Sequence, residues 1–254
     1  MFHQITLVAV PDFPLVEPGN ELAAMISDAC LNGGIAIGDG DVVVIAQKIV
    51  SKAEGRYVNL GDVTPSAQAK ALAVKLNKDP RMVELVLSES TRIVRAENNV
   101  LIVAHRLGYI MANAGIDQSN ISHADGERAL LLPVDPDGSA ANIKERLDRT
   151  FNIACGVVIN DSFGRPWRNG VVGVAIGAAG VNSLQSFAGT PDLFGRPLRV
   201  TEIAIADEIA AAASLLMGQA AEGYPVVILR GLKRSANPRP AAALIRPASQ
   251  DLFR

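Results

Sequence analysis

From Asn169 to Pro191 the chain carries no charged side chain, and a run of that length has few ways to be accommodated. About 20 consecutive apolar residues suffice to cross a bilayer. This run is a poor candidate, because Gly170, Gly173, Gly177, Gly180, Asn182, Ser183, Gln185 and Ser186 interrupt it. Small residues suit backbone that packs closely against other backbone. The expectation is therefore packed support inside a water-soluble protein, with no membrane segment. The segment just before it is its opposite: Asp161, Ser162, Arg165 and Arg168 crowd around Trp167, the only tryptophan.

Shorter apolar runs read as strands: His3 to Val10, Val42 to Ala46 behind a Gly-Asp-Gly-Asp turn, Ala154 to Ile159, and the "PVVILRG" segment from Pro225. Three strand-like pieces lie at Arg92 to Val94, Val100 to Ala104 and Tyr109 to Ala112. Helical spacing joins Leu22, Met25, Ile26 and Cys30, with Asn20 as cap and Gly33 and Gly34 as stop. Two further helices break at Asp79-Pro80, the first capped by Thr64. Another is capped near Ser139, and the longest runs from a Thr201 cap to a Gly218 stop. The tail from Leu232 reads as irregular. Strands and helices alternate irregularly, so the reading is a mixed α+β fold, not a doubly wound sheet. At 254 residues the chain suffices for one large domain or two smaller ones.

Composition narrows the function. A formal charge of −2 gives no basic field, which disfavours a nucleic-acid phosphate-backbone binder. Cys30 and Cys155 read as buried reduced thiols, and no leader precedes the first strand, so the location expected is cytoplasmic. There is no phosphate loop, no dinucleotide fingerprint and no nucleophile elbow. His3, His105 and His123 form no zinc pattern and read as ordinary residues. Asp207-Glu208 reads as a solvated or paired stripe. What remains is a set of polar clusters, each in a loop after an apolar strand: Lys48 and Lys52; Asp117, Ser119 and Asn120; Asp161, Ser162, Arg165 and Arg168. Two carboxylates on separate loops suit Mg²⁺ or Mn²⁺ beside a phosphate, with Lys and Arg neutralising its oxygens. An aspartate in a glycine-rich loop is also an ordinary turn former. From the chemistry alone, both readings stand.

Taken together, "VVVIAQKIVSKAEGR", "NAGIDQSN", "LLLPVDPDGSA", "INDSFGRPWRNGVVGVAIGAAG" and "ADEIAAAASLLMGQ" followed by "PVVILRG" resemble the coenzyme F420:glutamate ligase family. The motifs occur in the family's order over nearly the whole chain. The resemblance implies an α+β fold of two-domain subunits, with mixed sheets, packed helices and an intertwined homodimer. It further implies one ligase unit with two discontinuous subdomains, divided near 80–115 and 180–200, in the form that lacks a fused reductase-like domain. The activity implied is GTP-dependent: a deazaflavin precursor, F420-0, is activated as an acyl phosphate and captured by the amine of L-glutamate, with later glutamates γ-linked.

Residue by residue, the resemblance makes Asp117 and Asp161 the catalytic, metal-binding aspartates. Ser162 stands where the family has a threonine hydroxyl ligand to a second metal, and Gln219 at another ligand position of that second site, where an acidic side chain can occur. The cations implied are Mg²⁺ or Mn²⁺, and K⁺. Phe13, Pro14, Leu15 and Val16 match the N-terminal nucleotide loop. Gln47, Lys48, Lys52 and Asn120 match nucleotide contacts. Met217, Gly218, Gln219, Ala220, Ala221, Glu222, Gly223 and Tyr224 match a second nucleotide loop. Arg165 and Arg168 are candidates for phosphate or deazaflavin carboxylate. Two other readings share these residues: an acid-amine ligase with a different carboxylate acceptor, and a nucleotide-binding protein without turnover.

Overall fold

The computed structural model of the protein describes residues 4–124, 126–233 and 237–252. In chain order its elements are β1 Thr6–Ala9, α1 Leu22–Asn32, β2 Val42–Ala46, α2 Gln47–Ala53, β3 Tyr57–Asn59, α3 Ala67–Leu76 and α4 Pro80–Ser88. There follow β4 Ser90–Glu97, β5 Val100–His105, β6 Ile110–Ala112, β7 Arg128–Leu130 and α5 Pro136–Phe151. The last are β8 Gly156–Arg165, β9 Arg168–Ala179, β10 Gln185–Ser186, β11 Glu202–Ile203, α6 Ile205–Met217 and β12 Val226–Arg230. The fold is mixed α+β, as the irregular alternation implies. His3, where the first expected strand begins, lies outside the described residues.

The apolar runs meet in one sheet, ordered β1-β12-β2-β8-β9, in which β2 and β8 are parallel and the other neighbours antiparallel. Both faces are covered, so the central strands are apolar at every position instead of alternating. Val43, Ile45, Val157, Ile159 and Ile228 join a core with α1 and α5. Val42, Val44, Val158, Val227 and Leu229 join a second core against α6. A third cluster joins Leu76 of α3 and Val83 of α4 to Leu101 and Val103 of β5 and Ala129 of β7. The remaining sheets are β4-β5-β6, β3-β7 and β10-β11.

The uncharged tract is mostly β9, clamped between helices. A Cβ on Gly173 would collide with Ser214 Oγ and the Ala210 carbonyl of α6, and one on Gly177 with the Pro136 carbonyl of α5. Strand backbone meets the helices there, which is why those two positions cannot carry a side chain. No helix among the described residues is long and apolar enough to cross a membrane. The Cys30 and Cys155 thiols are buried and unbridged.

Several expectations need correction. Asp161 and Ser162 do not sit on a loop: β8 continues through them to Arg165 and turns at Trp167, whose φ is +57°. The Asp207-Glu208 stripe stands as read: Asp207 is half-buried and paired, its carboxylate accepting the Ala175 N–H of β9 at 2.9 Å, while Glu208 is exposed. The helix caps also differ. Glu21, Ser66 and Asp135 accept the N-terminal amides expected of Asn20, Thr64 and Ser139, while α6 starts at Ala204 without a side-chain cap. For α1 and α3 the capping oxygen lies directly before the first helical turn, and α5 starts earlier than expected, so that Ser139 falls inside it. Gly218 ends α6 as expected.

Candidate functional site

The parallel pairing of β2 with β8 ends at Ala46 opposite Asn160, and β8 runs on beside β9. In open sheets that end is where ligands enter, because the following segments splay apart. A cleft of about 1300 Å³ opens there. Its walls come from the Phe13–Pro18 segment, α2, the turn leading to Asp117 and Ser122, the second half of β8, the Met217–Pro225 segment after α6, and Tyr57 and Arg128 of β3 and β7.

Lys48 and Lys52 lie one turn apart on α2, which begins directly at the end of β2. The sequence placed them on a loop; a helix holds them more rigidly and points both at the cleft. Asp117 is reached through three successive left-handed residues, Asn113, Ala114 and Gly115, with φ of +51°, +53° and +67°. Only glycine adopts that region without penalty. A backbone bridge then pins it, with Asp117 N–H donating to Leu130 O at 3.2 Å and Leu130 N–H to Asp117 O at 2.9 Å.

The Asp117 carboxylate is heavily solvated by protein. Oδ2 accepts from Lys48 Nζ and Ser119 Oγ, both at 2.7 Å. Oδ1 accepts from the amides of Gln118 at 2.7 Å and Ser119 at 2.8 Å. Burial pulls this carboxyl upward, but Lys48 and Ser119 outweigh it and hold the group below the usual carboxylate range. Asp161 is its counterpart in every respect. Its carboxylate accepts one hydrogen bond among the described residues, from the Ser162 amide at 2.8 Å. Burial pushes its carboxyl up to about 6, opposed by that amide and by the Lys48 charge and reinforced by Asp117. Lys52 makes no ion pair among the described residues, and burial, then Lys48, holds its ammonium below the usual lysine range.

Most of the residues singled out in the sequence share this cleft. Phe13 to Val16, Gln47, Lys48, Lys52, Asp117, Asn120, Asp161, Ser162, Met217 to Ala221, Gly223 and Tyr224 all line it. Glu222 does not; its carboxylate accepts the Ala220 N–H at 2.8 Å and folds the loop on itself. Asn120 Nδ2 donates to Ala220 O at 3.1 Å, joining two walls. Arg165 and Arg168 face each other across the exposed tip of the β8–β9 hairpin, outside the wall. Several wall residues had no signal strong enough to be singled out, and four of them are large polar or aromatic groups. Asn160 precedes the expected aspartate, Phe163 follows it, and Tyr57 and Arg128 stand on three-residue strands, the guanidinium 4.8 Å from the ring centre.

Chemically, the cleft combines two lysines, two unlike carboxylates and neutral oxygens of Ser162 and Gln219. No three His, Cys, Asp or Glu converge as a metal site among the described residues. The carboxylates could still share a hard cation with neutral oxygens. Asp161 supports that, since a buried carboxylate with a single donor is the group a cation would most relieve.

Comparison with known proteins identifies the family of the chain. The family model described as F420-0:Gamma-glutamyl ligase matches residues 12–231. The chain is 44% identical to the coenzyme F420:L-glutamate ligase of Methanothermobacter thermautotrophicus, over 98% of this chain and 99% of that one. It is 46% identical to the Methanopyrus kandleri enzyme of the same name, over 94% and 93%. The counterpart in Methanocaldococcus jannaschii is 43% identical over 86% of each chain.

Proposed function

Because the chain belongs to the F420-0:Gamma-glutamyl ligase family, we propose that it joins L-glutamate to the deazaflavin F420-0 at the expense of GTP. A carboxylate oxygen of F420-0 attacks the γ-phosphorus as the bond to GDP breaks. The glutamate amine then attacks the acyl carbonyl, phosphate leaves, and the amine loses one proton. Later glutamates join through the γ-carboxylate.

The observation that carries this reading is the cleft itself, in which Lys48 and Lys52 face Asp117 and Asp161. A carboxylate and a triphosphate repel each other, and positive charge must screen both before in-line transfer. Lys52, which makes no ion pair among the described residues, is suited to a phosphate oxygen, and Lys48 to keeping Asp117 ionised and in place. Phe13 to Val16 and Met217 to Tyr224 supply facing walls for the nucleotide. Asp117, Asp161, Ser162 and Gln219 would hold Mg²⁺ or Mn²⁺, and the all-oxygen donor set fits such a cation. When bound, that cation supplies charge neutralisation at the phosphates.

The same reading includes a homodimer of two-domain subunits. Trp167 and Val171 on the hairpin, 82% and 53% exposed, and Leu193 and Phe194, 99% and 90% exposed, are apolar surface that a second copy would cover.

The test is to incubate the protein with GTP, Mg²⁺, L-glutamate and F420-0, following product mass and phosphate release together. Glutamylated product with stoichiometric phosphate is expected. Phosphate release only with another acid would replace the acceptor, and GTP binding without phosphate release would replace the enzyme with a nucleotide-binding protein.

A further inference from the structure

Asn160 is 5% exposed, stands on the cleft wall, and immediately precedes Asp161 on β8. Its amide orientation is fixed by its neighbours. Nδ2 donates to Ser214 Oγ at 2.9 Å and to Met217 Sδ at 3.3 Å. The Ser214 hydroxyl spends its one hydrogen on Ala210 O at 3.0 Å, so Oγ can only accept, and a thioether sulfur has no hydrogen to give. Flipping the amide would therefore put an acceptor against two acceptors. Oδ1 is the other end of that amide, and among the described residues no donor reaches it, although it is sealed from water. A buried acceptor left unpaired is costly, and one on a binding cleft marks a contact made in another state.

The pleat of β8 decides which side chains share its face. Asn160, Asp161 and Ser162 pair in unbroken register with Ala175, Val174 and Gly173 of β9. Directly opposed residues project to the same side of a sheet, and successive residues of a strand to opposite sides. A Cβ on Gly173 would meet Ser214 Oγ and Ala210 O of α6, and Ala175 packs in the core against α6. Asn160 and Ser162 therefore both project on the α6 side, and Asp161 on the other. On that side α6 ends at Met217, whose sulfur touches Asn160, and Gln219 follows two residues later on the cleft wall. The C-terminal end of a helix carries partial negative charge and favours a cation.

We propose that Asn160 Oδ1 is a further ligand of the second cation, beside the Ser162 hydroxyl that shares its strand face. This rests on the cation reading given under Proposed function, with Ser162 and Gln219 on a second ion as the resemblance implies. An oxygen closed to water is still open to a metal. Mg²⁺ sits about 2.1 Å from its oxygens, nearer than the roughly 2.8 Å of a hydrogen-bonded water, and so fits between neighbouring oxygens that exclude water. The donor set is hard and neutral, so the charge opposing this cation comes from the nucleotide phosphates and the end of α6. Where an acidic ligand is replaced by Gln219, Asn160 restores the number of oxygens without restoring the charge. A Ser162 hydroxyl turned to donate to Oδ1 is the competing arrangement, and it predicts a different double variant.

The test is Mn²⁺ binding, read from the free-Mn²⁺ electron paramagnetic resonance signal during titration into the protein with GDP, corrected for GDP alone and independent of turnover. The unaltered protein should bind two Mn²⁺ per subunit, the weaker at Ser162. Even partners outside the ligand shell typically change metal affinity by about 10-fold or more, so Asn160→Ala is expected to weaken the weaker site at least about 10-fold and leave the tighter one unchanged. Asn160→Asp keeps the volume and presents a charged oxygen, so it should tighten the weaker site about 10-fold, and it serves if Asn160→Ala does not fold. In Ser162→Ala protein, Asn160→Ala should still weaken that site by a similar factor. No further loss there would mean that Oδ1 only receives the Ser162 hydroxyl, which overturns the proposal. So would unchanged affinities in Asn160→Ala, a loss shared equally by both ions, or no tightening in Asn160→Asp. If the unaltered protein binds fewer than two Mn²⁺ with GDP, the reading of two cations itself falls and this proposal with it.

Discussion

The two carboxylates in the cleft are held in opposite ways, and their variants should differ accordingly. Asp117→Asn and Asp161→Asn are each expected to remove most turnover, since both lose a charge without losing volume. Their effects on stability should diverge. The Asp161 carboxyl is raised to about 6 by burial, so its charge costs the metal-free fold nothing below the ordinary carboxylate range and its full amount above about 6. Asp161→Asn should therefore stabilise the chelator-treated protein at pH 8 by about 1–3 kcal/mol. Asp117 is held below its usual range by Lys48 and Ser119 against the pull of burial, and Asp117→Asn should destabilise. Urea unfolding of both variants checks the divergence; equal shifts would contradict it. Lys52→Ala should weaken GTP binding about 10-fold, the magnitude of one charge-assisted hydrogen bond, as measured by calorimetry.

At the scale of elements, Glu89 ties the end of α4 to β5 and to the segment after α2. Its carboxylate faces His105 Nε2 at 3.5 Å, Arg106 Nε at 2.9 Å and Arg56 at 3.4 Å. His105, then Arg106 and Arg56, hold it down to about 2 against the opposing effect of burial. A depressed carboxyl contributes stability that is complete above its unfolded value, near 4.5, and is lost as pH falls through about 2. Glu89→Gln should cost about 2–3 kcal/mol at pH 7 and flatten the dependence of stability on pH between about 4.5 and 2. An unchanged acid limb in a denaturant-by-pH series would show that the network does not carry that stability. The elements also show where sequence stops being legible. β2 and β12 are readable because both faces are buried and their apolar runs have sharp ends. β8 is not, since its apolar run ends at Ile159 while its pairing with β9 continues to Arg165. Hydrogen bonding to a partner far along the chain extends a strand past its own pattern. β3 and β7, three residues each, have too few positions to show any period.

For the whole molecule, most of the cleft was legible because its residues cluster in long motifs, whereas its shape depends on contacts between distant segments. Asn120 reaching Ala220, and Asn160 locking the end of α6, join residues 100 and 54 to 57 positions apart. No local pattern announces such pairs. Light scattering should return the mass of a dimer at micromolar concentration, and a monomer mass would contradict the assembly proposed here.

The hairpin between β8 and β9 has a further use. Its turn carries the chain's only tryptophan, 82% exposed, two residues past the end of the strand that bears Asp161. Every photon of intrinsic indole emission therefore originates at one known point. In a subunit with a bare tip, that emission should be long-wavelength and readily quenched by acrylamide; covering the tip should move it to shorter wavelength. Dilution, ligand addition or any reshaping of the strand can then be followed in unlabelled protein through a single natural chromophore.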